Sequence, residues 1–416
     1  MAIVRPFKGV IPKQELADKL ACLPYDVMNR KEAKQMAEGN PFSYLHVVRS
    51  EIDLPDSVGD YDQLVYETAR KNLDKFIADG IMNQEQAPIY FIYRQLMNGR
   101  VQTGLVACTS IDDYMNDVIK KHEFTRPAKE VDRINNFDFC DANTEPVFLS
   151  YRKNDEINHI VNDWIKFHMP LYNFTSDDEI THIFWKLDDL SLVKRIGEIF
   201  DGIDYLYIAD GHHRSASSVK VGMKRREEFP DYDGSEEFNY FMAVIFPDED
   251  LFIMDYNRVV KDLNGRTKEA FLSEISEKFD VIKMEQVEPF KPMQRSTFGM
   301  YLDGAWYKLS AKPGTYDEKD PVDRLDVSIL QKNLLQPVLG IEDPRTDMKI
   351  DFVGGIRGLK ELERRVNEGF TVAFSMYPTT MDDLIDIANA GEVMPPKSTW
   401  FEPKLRSGLF VHKLND

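Results

Sequence analysis

Apolar and polar positions follow two periods along this chain, and the switches between them predict a mixed α/β protein. Alternating or continuous apolar runs predict extended segments at 5–12, 44–48, 89–93, 101–108, 146–151, 181–187, 205–209, 240–246, 251–256, 296–302, 305–309, 372–376 and 409–414. Helical spacing predicts helices at 14–23, 30–37, 61–79, 158–168, 190–200, 268–279, 325–339 and 381–391, with others starting at Pro127 and Ser215. Asn98-Gly99 between two apolar runs is the strongest hairpin signal. The 251–256 run is expected to pair with 240–246 across Pro247-Asp248-Glu249-Asp250, and 296–302 with 305–309 across Asp303-Gly304. No repeat or low-complexity linker interrupts the pattern. A length of 416 residues suggests two or three domains, and three regions are expected, 1–150, 151–262 and 263–416.

The run Tyr205-Leu206-Tyr207-Ile208-Ala209-Asp210-Gly211-His212-His213-Arg214-Ser215 reads as strand, turn, helix, with the strand ending at Asp210. A helix opening just after a glycine turn presents backbone N–H groups and a dipole that favours an anion. His212 and His213 can donate to phosphate oxygens or exchange protons near neutral pH, and Arg214 offers a fork for phosphate or carboxylate. Asp210 can hold a metal ion, accept a hydroxyl proton, or act only as a helix cap.

Charge sharpens this picture. Against 52 Lys and Arg stand 71 Asp and Glu, a net charge of −19 that repels nucleic acid and anionic membrane surfaces. Local clusters of cations therefore carry information. Arg126, Lys129 and Arg133 flank and follow Pro127 at spacings of three and four, on one face near a helix start. They form either a phosphate clamp or a solvated face stitched by Glu130. His122 and Glu123, just upstream, can add a proton carrier and a metal ligand.

Further candidates lie elsewhere. Asp26 sits on a loop between two helices, as a functional carboxylate or a solvated turn residue. Arg49, Glu51 and Asp53 follow the expected 44–48 strand at alternate positions, as a base or metal site or as an exposed strand end. Arg258 at a strand end can face the same ligand. Lys397 and Ser398 in Met394-Pro395-Pro396-Lys397-Ser398-Thr399 can reach a phosphate, or the prolines only stop a helix. His159, His168 and His182 lack metal-ligand spacing. The glycines at 354–358 lack the Walker lysine, and no GxGxxG opens a βαβ unit, so a nicotinamide cofactor is unsupported. Cys22, Cys108 and Cys140 lack redox or metal spacing, no apolar run approaches a membrane span, and no export signal is recognised, so a reducing cytoplasm is expected.

The Ile208 to Arg214 turn with Ser215-Ala216 resembles the signature of the ParB/sulfiredoxin-like superfamily, and most of all its free-serine kinases, which carry an Asp-Gly-His-His-Arg version. Over nearly its full length the chain also resembles the bacterial domain-of-unknown-function family 1015. That likeness rests on Arg5-Pro6-Phe7-Lys8-Gly9, Pro24-Tyr25-Asp26-Val27, Asn40-Pro41-Phe42-Ser43, His122-Glu123, Lys129, Asp132-Arg133, the central turn and the 394–399 run. These resemblances imply a phosphate-binding α/β core with additional α/β regions, and phosphoryl transfer to the hydroxyl of free L-serine. The donor would be pyrophosphate or a nucleotide, with Mg2+ as cofactor. Such a reaction needs cations to spread charge and a carboxylate to orient or deprotonate the hydroxyl. Asp210, His212, His213, Asp26 and Glu51 are the catalytic candidates. Gly211, Arg214, Arg126, Lys129, Arg133 and His122 are the candidates for phosphate, and Asp210 and Glu123 for metal. Small molecules are then the expected partners, with no nucleic acid and no membrane, and a homodimer stays open. A phosphatase acting on a phosphorylated amino acid, or a ParB-like nucleotide-binding regulator, would use the same groups.

Overall fold

A computed structural model describes residues 1–125, 127–285 and 288–415. The fold is mixed α/β, as the two hydrophobic periods predict. The described residues form two compact units, 1–251 joined by 403–416, and 252–402. The expected region 1–150 and residues 151–251 of the expected region 151–262 lie in the first of these, and 252–262 in the second.

The first unit is built on a mixed sheet. Strand Leu206–Asp210 lies between Ile119–Lys120, parallel to it, and Val147–Tyr151, antiparallel. The order continues through Tyr240–Pro247, Arg100–Ser110, Tyr90–Met97, Thr181–Leu187 and Tyr172–Thr175, and Val4–Arg5 also pairs with Arg100–Ser110. Tyr207, the register partner of Ser150, and Ile208, the partner of Leu149, are followed by a shift that sets Asp210 opposite Phe148. A bulge of this kind re-aims the side chain beyond it, which is how Asp210 comes to sit at the sheet's end. Ile92, Leu105, Val147, Leu149, Phe200, Ile208 and Ala243 are among the side chains of the buried core on one face.

Near the site the helices are Gln63–Ala78, Pro127–Cys140 and His212–Glu228. The last two are tied by Ser217 Oγ donating to Glu130 O at 3.0 Å and by Lys220 pairing with Glu130. The C-terminal segment returns through this unit. Cys22 and Ser407 exchange backbone hydrogen bonds, Val411 pairs with Val10, and His412–Lys413 pairs with Ala142–Asn143. Only those two residues of the expected 409–414 strand are in a ladder.

In the second unit six strands run in the order Phe279–Lys283, Ala305–Ala311, Thr297–Leu302, Val372–Ser375, Tyr256–Val260 and Ile350–Gly354, all antiparallel.

Several expected elements differ. The 44–48 run is helix Leu45–Val48 followed by the 3-10 turn Ser50–Asp53, because Ser43 Oγ accepts from the Leu45 N–H and a helical turn still buries Tyr44, Val47 and Val48. The period-two projection of Arg49, Glu51 and Asp53 therefore does not exist. Tyr256–Val260 replaces the expected 251–256 strand and pairs with distant strands rather than with Tyr240–Pro247. The helix expected over 268–279 ends at Ile275, and Phe279–Lys283 is a strand. No helix among the described residues is long and apolar enough to cross a membrane.

Candidate active site

The helix after the central strand begins at His212, not Ser215, so both histidines and Arg214 belong to its first turn. Gly211 precedes it at φ 91° with no side-chain cap. A Cβ there would lie 3.0 Å from Arg214 Nε and 3.1 Å from Nη2, so the glycine is required by backbone and by space alike. The guanidinium folds back over it. Arg214 is 2% exposed, donating from Nη1 to Pro146 O at 2.6 Å and from Nη2 to Asp210 Oδ2 at 3.0 Å. Burial alone would weaken its charge, but Asp210, Asp26 and Glu145 outweigh that and raise its pKa.

Asp210 has a second cation that the sequence pattern did not reveal. Lys404 Nζ lies 3.7 Å from Asp210 Oδ1. It is placed by the C-terminal segment, whose Lys404 carbonyl accepts from Gln95 and whose Arg406 pairs with Asp178. Burial would push the Asp210 carboxyl up, yet Lys404, Arg214 and His212 hold it at about 2. It is a carboxylate at any physiological pH.

His212 is buried, its ring 4.4 Å from that of His122 and nearly perpendicular to it. Glu123 Oε2 lies 3.8 Å from His212 Nδ1. Burial drives both imidazoles towards neutrality, His122 to about 4 and His212 well below its ordinary value. His213 is half-buried. Neither ring nitrogen of His122 has a hydrogen-bond partner, nor has Arg214 Nε or the Tyr25 hydroxyl. Buried polar atoms of this kind call for an explanation, and among the described residues His122, Arg214 and Tyr25 supply four of them around the turn.

Tyr25 leads to the second half of the site. A cleft of about 110 Å³ is lined by Asp26, Glu51, Tyr61, Lys129, Asp132 and Arg133, among others. Arg133 is buried over the Tyr25 ring, 3.9 Å from its centroid, and pairs with Asp132 and Glu145 at 2.9 Å each. Two carboxylates therefore already neutralise it. Glu145 also accepts from the Tyr25 N–H and Ser407 Oγ, and its neighbour Pro146 accepts from Arg214. These adjacent residues join cleft and turn. Lys129 lies at the cleft without an ion pair among the described residues, and Arg126 lies outside the described residues.

The carboxylates differ in their partners. Glu51 is buried against Arg49 Nε at 2.5 Å, while Arg49 Nη1 holds the carbonyls of Tyr25 and Met28. Asp53 pairs with His46 at 2.8 Å. Asp26, on the loop that Arg49 pins, is exposed and has no ion pair among the described residues. No group of three or more His, Cys, Asp or Glu able to hold a metal ion occurs among the described residues. His159 pairs with Asp163, His168 stacks on Trp164, and His182 is buried against Tyr93 and Ser176.

The chain belongs to the DUF1015 family, described as a protein of unknown function, whose model matches residues 4–328. No curated protein matches the sequence. Among solved structures it is similar to a conserved hypothetical protein from Pyrococcus furiosus, at 15% identity and TM-score 0.35 over 73% of this chain and 93% of that one. It is also similar to a free serine kinase in complex with AMP, at 15% identity and TM-score 0.36 over 71% of this chain and 86% of the other. A third is SbnI with C-terminal truncation from Staphylococcus aureus, at 11% identity and TM-score 0.37 over 71% and 82%.

Proposed function

We propose that this DUF1015 member is a phosphotransferase that phosphorylates the hydroxyl of free L-serine. The observation that carries the reading is the division of labour among carboxylates around one turn. Asp210 is fixed between two cations, Glu51 is taken by Arg49, and Asp26 is left exposed at the cleft. The likeness of the central turn to that of the ParB/sulfiredoxin-like serine kinases supports it.

In this reading Asp26 accepts the proton of the acceptor hydroxyl as its oxygen attacks the transferred phosphorus, and the donor's P–O bond breaks. Lys129 and the N–H groups opening the His212–Glu228 helix meet the donor's phosphates. Arg214 and Lys404 keep the floor of the site charged, and the neutral imidazoles of His122 and His212 are free to donate or accept hydrogen bonds. Asp210 and Glu123 are the residues that would hold Mg2+ together with donor phosphates, since the ion commonly uses one or two carboxylates and phosphate oxygens. When bound it would spread the charge of the transferred group. The three cysteines are buried and free, which suits the cytoplasm.

Incubation with L-serine, Mg2+ and, separately, ATP, ADP or pyrophosphate tests the proposal by mass spectrometry for phosphoserine. Product with at least one donor is expected, and its absence with all three would overturn the reading. Loss of added phosphoserine would instead identify a phosphatase, and nucleotide retained unchanged a regulator.

A further inference from the structure

Four arginines among the described residues are buried to below 9% exposure, and three have a carboxylate partner. Arg133 has Asp132 and Glu145, Arg214 has Asp210, and Arg406 has Asp178. The fourth, Arg258 in the 252–402 unit, has none among the described residues. It is 4% exposed in strand Tyr256–Val260, where register sets it opposite Phe352 and Phe374. Its Nη1 donates to Tyr256 O and its Nη2 to Lys397 O at 3.1 Å, which accounts for two of five donors. The guanidinium carbon lies 5.4 Å from the Phe352 ring centroid. Burial pulls its pKa down to about 10, with only Tyr256 opposing. Carbonyls and ring faces do not neutralise a buried charge, which folded chains tolerate when it is paired.

A second cationic residue, Lys397, touches it through its backbone carbonyl. Lys397 is exposed, its ammonium 5.4 Å from the Tyr256 ring centroid, and its carbonyl is the one that Arg258 holds. Lys397 adopts φ 61°, a conformation unfavourable for a residue with a Cβ. Its loop is pinned by Ser398 Oγ to Pro395 O at 2.6 Å, Thr379 Oγ1 to Ser398 O at 2.9 Å and Met254 N to Trp400 O at 2.8 Å. The Trp400 ring packs 4.9 Å from that of Tyr256.

We propose that Arg258 and Lys397 form an anion site of the 252–402 unit for a small phosphate-bearing molecule. Two cationic residues in contact with each other match the double charge of a phosphate group better than the single charge of a carboxylate, and a guanidinium fork suits its oxygens. The site stands apart from the serine-kinase reading, because no residue of the cleft or the central turn takes part in it.

Isothermal titration of the full-length protein with inorganic phosphate, pyrophosphate, ADP and acetate provides the test. The expected result is binding of at least one phosphate compound, no binding of acetate, and affinity at least tenfold weaker in Lys397→Met. Because Lys397 is exposed, the unliganded melting temperature of that variant should stay unchanged, so the test survives if Arg258→Gln fails to fold. Lys129→Met, altered in the cleft, should leave this binding event intact. Parental affinity in Lys397→Met, or phosphate binding lost only in Lys129→Met, would overturn the proposal. Phosphoserine formation plays no part in that readout, so each proposal can fail without the other.

Discussion

Replacing Gly211 with alanine should cost more than replacing any open glycine with φ above zero, because two penalties coincide there. The first is conformational. At φ 91° a Cβ crowds its own backbone, costing roughly 1–2 kcal/mol. The second is electrostatic. The new methyl would stand 3.0–3.2 Å from Nε, Nη2 and Cζ of Arg214, so the guanidinium must give by a few tenths of an ångström, which weakens its bonds to Asp210 and Pro146 O. Weakening one hydrogen bond to a charged group costs about 1.5–3 kcal/mol. Together these give about 2.5–5 kcal/mol, or a fall in melting temperature of roughly 10 °C for a unit of this size. Gly99 is the control, with φ 78° and nothing within 4 Å of where a Cβ would stand, so Gly99→Ala should lose only about 1 kcal/mol and roughly 3 °C. Thermal unfolding of both variants, with phosphoserine formation measured alongside, tests the difference. Equal falls for the two, with parental turnover in Gly211→Ala, would refute the claim that the guanidinium is packed on that glycine and serves the site.

Asp26→Asn should lower kcat by about 10²–10⁴ while leaving the melting temperature within error, since the side chain is exposed; a comparable loss of stability would mean that the loop, not the base, had been damaged. Lys404→Met should raise the Asp210 carboxyl from about 2 towards its ordinary value, because Lys404 is the largest of the three charge effects that hold it down; carboxyl-13C NMR of Asp-labelled protein, assigned with Asp210→Asn, would read the rise. His122 is neutral in the fold down to about pH 4 but protonates near 6.5 when unfolded, so its contribution is complete above pH 6.5 and is lost as pH falls towards 4. Urea unfolding between pH 7 and 5 should show a slope in His122→Phe that is shallower than the parent's by about 0.9 kcal/mol per pH unit on average, and parallel slopes would contradict the burial of a neutral ring.

The parts of the fold that could be read from the chain are those whose cause is local. Asn98 and Gly99 adopt φ 51° and 78°, the two positive values that a tight hairpin demands, and the flanking strands pair in register as their pattern predicts. Four apolar or aromatic residues and a histidine at 44–48 cannot distinguish a strand from a helical turn by period. Ser43 and the Tyr44 N–H bond to Leu20 O decide it, and the second of these lies outside any local window. Strand Tyr256–Val260 escapes the pattern for the same reason. Its partners begin at Val372 and Ile350, and no nearby residue announces them.

At the site, contiguity governed legibility. Asp210 to Arg214 carry their chemistry side by side, so the turn was visible; the helix start was not, because the buried residues of its first turns are His212, Arg214 and the small Ser215, Ala216, Ser217 and Ser218, with Gly222 further on. Those small residues permit close approach, with Phe238 O only 2.5 Å from where a Gly222 Cβ would stand, and they leave no hydrophobic period to detect. Lys404 and Glu145 come from other parts of the chain and bear no motif. The sequence also offers Asp26, Glu51 and Asp210 as chemically equivalent carboxylates. What separates them is pairing: Glu51 and Asp210 are each held by a cation, whereas Asp26 stands exposed beside the cleft with no ion pair among the described residues. Arg49 removes Glu51 from contention, and Lys404 with Arg214 removes Asp210. Asp26 is therefore the carboxylate on which the test of a base should fall first.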